Sequence, residues 1–188
     1  MSSVSAPFGL RPAYHPSGLD RAREYPLAAG YATPIYKNTP VTLVSNSINV
    51  AATAADFLGS FDGVTYTDVT GKPTVTNFWP GALSGATNIT AWVWDDPLTI
   101  FEIQSLGSIA LGSVGKQIDL DNTSLATGSS ATGLSTAMCT ATVINSGSQG
   151  QLRIIDISQA PTNAWGDAFT VLQVQIARSQ FVSNKVAV

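Results

Sequence analysis

From Val41 onward the chain alternates apolar and polar positions in short runs separated by Gly, Asn, Asp and Pro, the signature of half-buried strands between turns. The pattern predicts strands near VTLVS (41–45), ADFLGSF (55–61), VTYTDV (64–69), TVTNFW (74–79) and ITAWVW (89–94). It continues with LTIFEIQ (98–104), KQIDL (116–120), MCTATVIN (138–145), QLRIIDIS (151–158) and AFTVLQVQIARSQF (168–181). Asp62-Gly63 reads as a hairpin turn, and Thr70-Gly71-Lys72-Pro73 as another. DNTSLATGSSATGLSTA (121–137) reads as a small-residue loop. Short strands at this spacing predict an all-β fold, an antiparallel β-sandwich or barrel.

Residues 1–40 do not follow this pattern. They hold Pro7, Pro12, Pro16, Pro26, Pro34 and Pro40, six of the ten prolines. Proline lacks a backbone donor and drives its predecessor toward extended geometry, so the segment is expected to be neither regular sheet nor long helix. Phe8, Leu10, Tyr14, Tyr25, Leu27, Tyr31, Ile35 and Tyr36 are too much apolar surface for a solvated tail. The organisation expected is therefore a long extended N-terminal arm (1–40) and a β-rich body (41–188). The arm would lie along its own body, a neighbouring subunit or a larger partner.

Composition sharpens this picture. Charged residues are only 11% of the chain, so much of its surface is suited to facing other protein. The net charge of −3, with no Lys/Arg cluster, argues against a nucleic-acid partner. The charge is unevenly placed. The arm carries Arg11, Arg21, Arg23 and Lys37 against Asp20 and Glu24, while residues 41–152 carry eight acids against Lys72 and Lys116. No run of about 18 apolar residues predicts a membrane span, and MSSVSAPFGLRP lacks the apolar core of a signal peptide. The lone Cys139, in MCTATVI, reads as a buried inert thiol in a protein made in a reducing compartment.

Catalytic devices are short of parts. The most chemical stretch is AWVWDDPLTIFEIQ (91–104), which reads as a tryptophan-rich hairpin with Asp95 and Asp96 at a solvated tip. A period of two puts Trp92 and Trp94 on one face and Ala91 and Val93 on the other, and does not bring Glu102 beside the aspartates. Paired carboxylates for glycoside hydrolysis are thus not expected. His15 is the sole histidine, which disfavours Ser/His/Asp, Cys/His and zinc sites, so no catalytic residue, metal or cofactor is predicted. Asp119 and Asp121 imitate a calcium loop's spacing without its glycine and glutamate. Trp79, Trp92, Trp94, Phe101 and Trp165 are assigned to core or a subunit interface ahead of a carbohydrate-binding floor.

Taken in order, APFGLRPAYHPSG, LGSFDGVTYTDVTGKPTVTNFWPG, AWVWDDPLTIFEIQ, and QLRIIDIS followed by NAWGDAFTVLQVQI resemble capsid-associated structural proteins of tailed bacteriophages, those described as cement or decoration proteins. The resemblance spans most of the chain and weakens at 121–137. It implies a non-enzymatic virion protein, assembled in the bacterial cytoplasm, that binds the outer capsid surface as a homotrimer and stabilises contacts between major capsid protein subunits. In that role Phe8, Leu10, Tyr14, Tyr25 and Tyr31 would fill capsid grooves, and Arg11, Arg21 and Arg23 would pair with capsid carboxylates. Arg11 and Arg23 have a second reading, as bridges from the arm to the acidic body of the same chain. The alternative functions are a head-fibre or lectin-like module for host surfaces, or a tail or neck component.

Overall fold

The structure is a computed structural model describing residues 2 and 4–182. The last six residues of the expected body lie outside the described residues. The fold is all-β, with antiparallel ladders and no α-helix among the described residues; a single 3-10 turn covers Leu111–Ser113.

In chain order the strands are β1 (Arg11–Tyr14), β2 (Arg23–Pro26), β3 (Ile35–Tyr36), β4 (Pro40–Val44), β5 (Ser47–Val50), β6 (Gly59–Thr67), β7 (Pro73–Thr76) and β8 (Phe78–Trp79). They continue with β9 (Thr87–Trp94), β10 (Ile100–Gln104), β11 (Gln117–Leu120), β12 (Gly128–Ser129), β13 (Leu134–Ser135), β14 (Cys139–Ile144), β15 (Leu152–Ile157) and β16 (Val171–Ile176). One six-stranded sheet has the order β1-β10-β16-β15-β11-β14; a second runs β2-β9-β6-β4-β5, with β7 also paired to β6, and β3-β8 and β12-β13 form two small two-stranded sheets. The first sheet curls on itself, since Ser105 just past β10 bridges Cys139 in β14 and the Leu106 N–H donates to the Cys139 carbonyl at 2.8 Å.

Each sheet has its own core. Phe101, Ile103, Ile118, Leu152, Ile154, Leu172 and Val174 fill the first; Val41, Ile48, Phe61, Val64, Trp79, Ala91 and Val93 fill the second. Most are alternate positions of their strands, as period-two burial requires, while the register shift between Phe61 and Gly63 lets Phe61 and Val64 of β6 both join the second core. Val50 packs against both cores, and Trp94 reaches from β9 to the first one. The body is thus two curled sheets joined along a seam.

The chain crosses that seam at Asp95–Thr99. β9 belongs to one sheet and β10 to the other, so 91–104 is not a hairpin, because its two strands pair with different neighbours. A second tie is Gln151, fully buried beyond β14. Its amide donates to the carbonyls of Ala52 and Ala55, both at 2.8 Å, and its oxygen accepts the N–H groups of Ala54 and Leu120 at 3.0 and 3.1 Å. Beside it Arg178 Nε lies 2.8 Å from Asp56 Oδ1.

Two other expectations are corrected. Asp62-Gly63 is not a turn: β6 runs through it as one strand with a register shift between Phe61 and Gly63, and Asp62 pairs with Lys37 at 2.7 Å. The Pro-rich arm does contribute regular sheet, β1 to one sheet and β2 to the other. Both are edge strands, where Pro12 and Pro26 leave no central ladder bond missing. The turn at 70–73 stands where expected, with the Asp68 N–H donating to the Lys72 carbonyl at 3.0 Å.

Candidate interaction surface

The arm is docked on its own body along its length. Near its start the Ala6 N–H donates to Gln104 Oε1 at 2.9 Å. Gly9 then turns the chain at φ 79°, a left-handed value that glycine adopts without strain, and the Leu10 N–H donates to the Asn38 carbonyl at 2.7 Å. Leu10 is completely buried in the first core, its carbonyl accepting the Ser60 hydroxyl at 2.5 Å. It is therefore core, which corrects its expected role as a capsid contact: a side chain with no exposed surface has none to offer a partner.

Beyond Leu10 the arm runs antiparallel to the 90–102 segment across both sheets. Arg11 lies opposite Glu102 and Tyr14 opposite Ile100; after the intervening loop, Arg23 lies opposite Val93 and Pro26 opposite Thr90. The acids along this path meet arm groups. Arg11 forms an ion pair with Glu102 while its guanidinium sits 4.4 Å over the Phe8 ring. Asp95 accepts the Tyr25 hydroxyl at 2.5 Å and has Arg23 Nε at 3.4 Å; Asp96 Oδ2 lies 3.5 Å from His15 Nε2. Thr99 donates to Asp20 at 2.5 Å. Asp95 is buried, so the expected solvated acidic tip is instead the floor of the crossing.

Electrostatics follow from these contacts. Burial opposes ionisation of Glu102, but hydrogen bonds from Ser158 and Arg11, the Arg11 charge and a further bond from Gln173 outweigh it and hold the carboxyl below its ordinary value. Burial, then the hydrogen bond to Asp95 and that group's charge, raises the Tyr25 hydroxyl above its ordinary range, so it remains a donor. Burial pushes the Cys139 thiol up to about 12.

The remaining expected contact residues divide in two. Tyr31 is half-buried, its hydroxyl accepting the Val50 N–H at 2.9 Å, and its carbonyl accepts from Trp79 Nε1 at 2.9 Å. Tyr14, Leu19 and Arg21 are exposed around the loop joining β1 to β2, with Leu19 83% exposed. Trp79 and Phe101 are fully buried in the second and first cores. Trp92 and Trp94 are half-buried on the face of β9 turned away from the second core, as the alternation requires, and Trp94, like Trp165, packs against the first core.

One surface was not singled out from the sequence. Residues 103–115 and 122–152 contain no charged residue, and they meet where Leu106 bonds Cys139 and where Gly107 approaches Ala141. Within the first run Leu106, Leu111 and Val114 are exposed and Ile109 is buried. The signal was present as two charge-free runs, but their adjacency comes only from the curl of the first sheet.

Among the described residues no group of three or more His, Cys, Asp or Glu is placed to hold a metal ion, and no helix is long and apolar enough to cross a membrane. Asp119 accepts the Gln151 N–H at 3.0 Å and Asp121 the Thr123 hydroxyl at 2.7 Å. Compared with protein-family models, curated proteins and solved structures, the chain matches none.

Proposed function

We propose that this chain is a non-enzymatic virion structural protein, a cement or decoration protein that binds the outer surface of a tailed-phage capsid and bridges major capsid protein subunits. The ordered phrases that resemble such proteins support the reading. The observation that carries it on the structural side is the pair of charge-free runs, 103–115 and 122–152, that meet at Leu106 and Cys139, with Leu106, Leu111 and Val114 exposed in the first; we take the neutral surface they give as the attachment face. Interface cores are depleted in charge, and a patch of this kind is suited to dry contact with protein.

The docked arm changes the mechanism expected from the sequence. Arg11 and Arg23 are engaged with Glu102 and Asp95 of the same chain, so the arm acts first as a strap across the two sheets. The neutral face then provides attachment. A homotrimer presents three such faces, and effective concentration turns weak single contacts into firm attachment. Binding that favours the expanded shell opposes its opening by mass action.

The test is addition of the purified chain to heads stripped of it. The reading expects saturable binding at a fixed ratio to the major capsid protein, on the outside, where antibody reaches it. Absence from heads, or a copy number of about a dozen set by a single neck ring, contradicts it.

A further inference from the structure

The strand register defines an outer face on the second sheet. Pro26, Thr90, Thr65 and Val75 lie in one row across β2, β9, β6 and β7, and Glu24, Trp92 and Gly63 lie in the next. Directly opposed residues of antiparallel strands share a side, and Tyr25, Ala91 and Val64, in the row between, point the other way into the second core. Beyond Trp94, which packs on the first core, this outer side is open. Val75 is 78% exposed, and Thr65, Thr90 and Trp92 are half-buried.

An antiparallel face turned to water normally presents polar side chains, whereas these rows set tryptophan, valine and proline among threonines. Their one charge is Glu24, at the β2 margin. Asp62, beside Gly63, is paired with Lys37 at 2.7 Å. A centre without charge around an aromatic side chain, with charges kept to the rim, is how protein contacts are built.

What covers this face follows from its own shape and charge. It holds both a protrusion and a hollow: Val75 stands out at the β7 edge beside an open cleft of ≈ 360 Å³, lined also by Trp92, Asn77 and Gly63, which has no side chain to fill it. The rim is complementary to itself as well. Glu24 on β2 and Lys72 in the turn before β7 form no ion pair among the described residues, and three strand spacings, about 14 Å, keep them apart within one chain. Asp68, in the same turn as Lys72, is turned to the N–H groups of Thr70 and Lys72. A second copy can therefore set its Lys72 against Glu24, where rims of a single sign would repel.

We propose that copies of this chain pack against one another through the outer face of the second sheet, Val75 of one copy entering the cleft beside Trp92 of the next and Glu24 meeting Lys72 across the rim. The inference deepens the reading above and rests on it only for the number of copies. It names the face that joins them and leaves Leu106, Leu111 and Val114 free for attachment.

Sedimentation velocity of the purified full chain, with no heads present, is the test. The proposal expects a mass above one copy. Val75→Glu places a charge in the dry centre and is expected to weaken association about tenfold or more; the side chain is already exposed, so the fold is kept, as circular dichroism verifies. Glu24→Lys weakens association a few-fold, and Glu24→Lys with Lys72→Glu recovers it, a rescue that a purely structural effect would not give. Leu19→Asp, at the arm loop, leaves the mass unchanged. A chain that is monomeric at every concentration overturns the proposal, and so does association that survives Val75→Glu, is lost in Leu19→Asp or is not recovered by the double charge reversal. A monomer that still saturates heads sinks this inference alone, whereas an oligomer that ignores them sinks only the capsid reading.

Discussion

The Tyr25 hydroxyl donates to Asp95 Oδ2 at 2.5 Å, which joins an arm strand to the one point where the chain passes between its two sheets. Arg23 approaches the other oxygen of the same carboxylate. The two partners are not equal. The Arg23 side chain is 58% exposed, so solvent screens its attraction, whereas Asp95 is buried and depends on the hydroxyl. Tyr25→Phe is therefore expected to lower stability by about 1–3 kcal/mol, the cost of an abandoned buried acceptor. Arg23→Ala should lower it by about 1 kcal/mol or less. Urea unfolding of the two variants checks the order; a larger loss for Arg23→Ala contradicts it.

Gln151 tests the second tie between the sheets. Its side chain satisfies four backbone groups and is itself fully satisfied. Gln151→Leu preserves bulk but strands those groups, and should cost about 3–5 kcal/mol, at the upper end for one substitution. Thermal unfolding by calorimetry reads this directly.

Gly59 allows β6 to lie against β9. A Cβ there would sit 2.0 Å from the Trp94 carbonyl oxygen, part of the backbone, so no side-chain movement relieves the clash. Gly59→Ala should destabilise by about 1–3 kcal/mol through displaced backbone, and should move the Trp94 indole resonance in NMR spectra.

Acid stability follows from Glu102. Its folded pKa lies below the ordinary value of 4.5, so the unfolded state takes up protons first as pH falls. The stabilisation is complete above the ordinary value and is lost as pH drops through the lowered one. Unfolding followed between about pH 5 and about pH 3 should show this slope, and Glu102→Gln should flatten it. The Cys139 thiol, raised to about 12 by burial, should stay inert to thiol reagents at neutral pH until the protein unfolds.

The sequence carried the strands whose faces differ in polarity. β9 and β10 were readable because Ala91, Val93, Phe101 and Ile103 alternate with larger or polar neighbours. Partnership was not readable, since identical alternation suits a hairpin and a crossing between two sheets. β5 was missed because Ser45 and Asn46 turn the chain with φ of 48° and 62°, where the usual glycine marker is absent. β1 and β2 were missed because proline argues against sheet in general, while only their edge positions make it tolerable. The acids of 91–104 and the cations of the arm were visible, but their pairing needed both crossings in space.

The central claim is that the arm is a strap belonging to the fold, and that capsid attachment belongs to the neutral face. Co-sedimentation with stripped heads separates the two using folded variants. Leu111→Asp with Val114→Asp is predicted to weaken binding about tenfold or more by placing charge in a dry contact, while Leu19→Asp with Arg21→Glu at the arm loop binds as the unmodified chain does. Loss of binding in the arm-loop variant with full binding in the neutral-face variant would contradict the account.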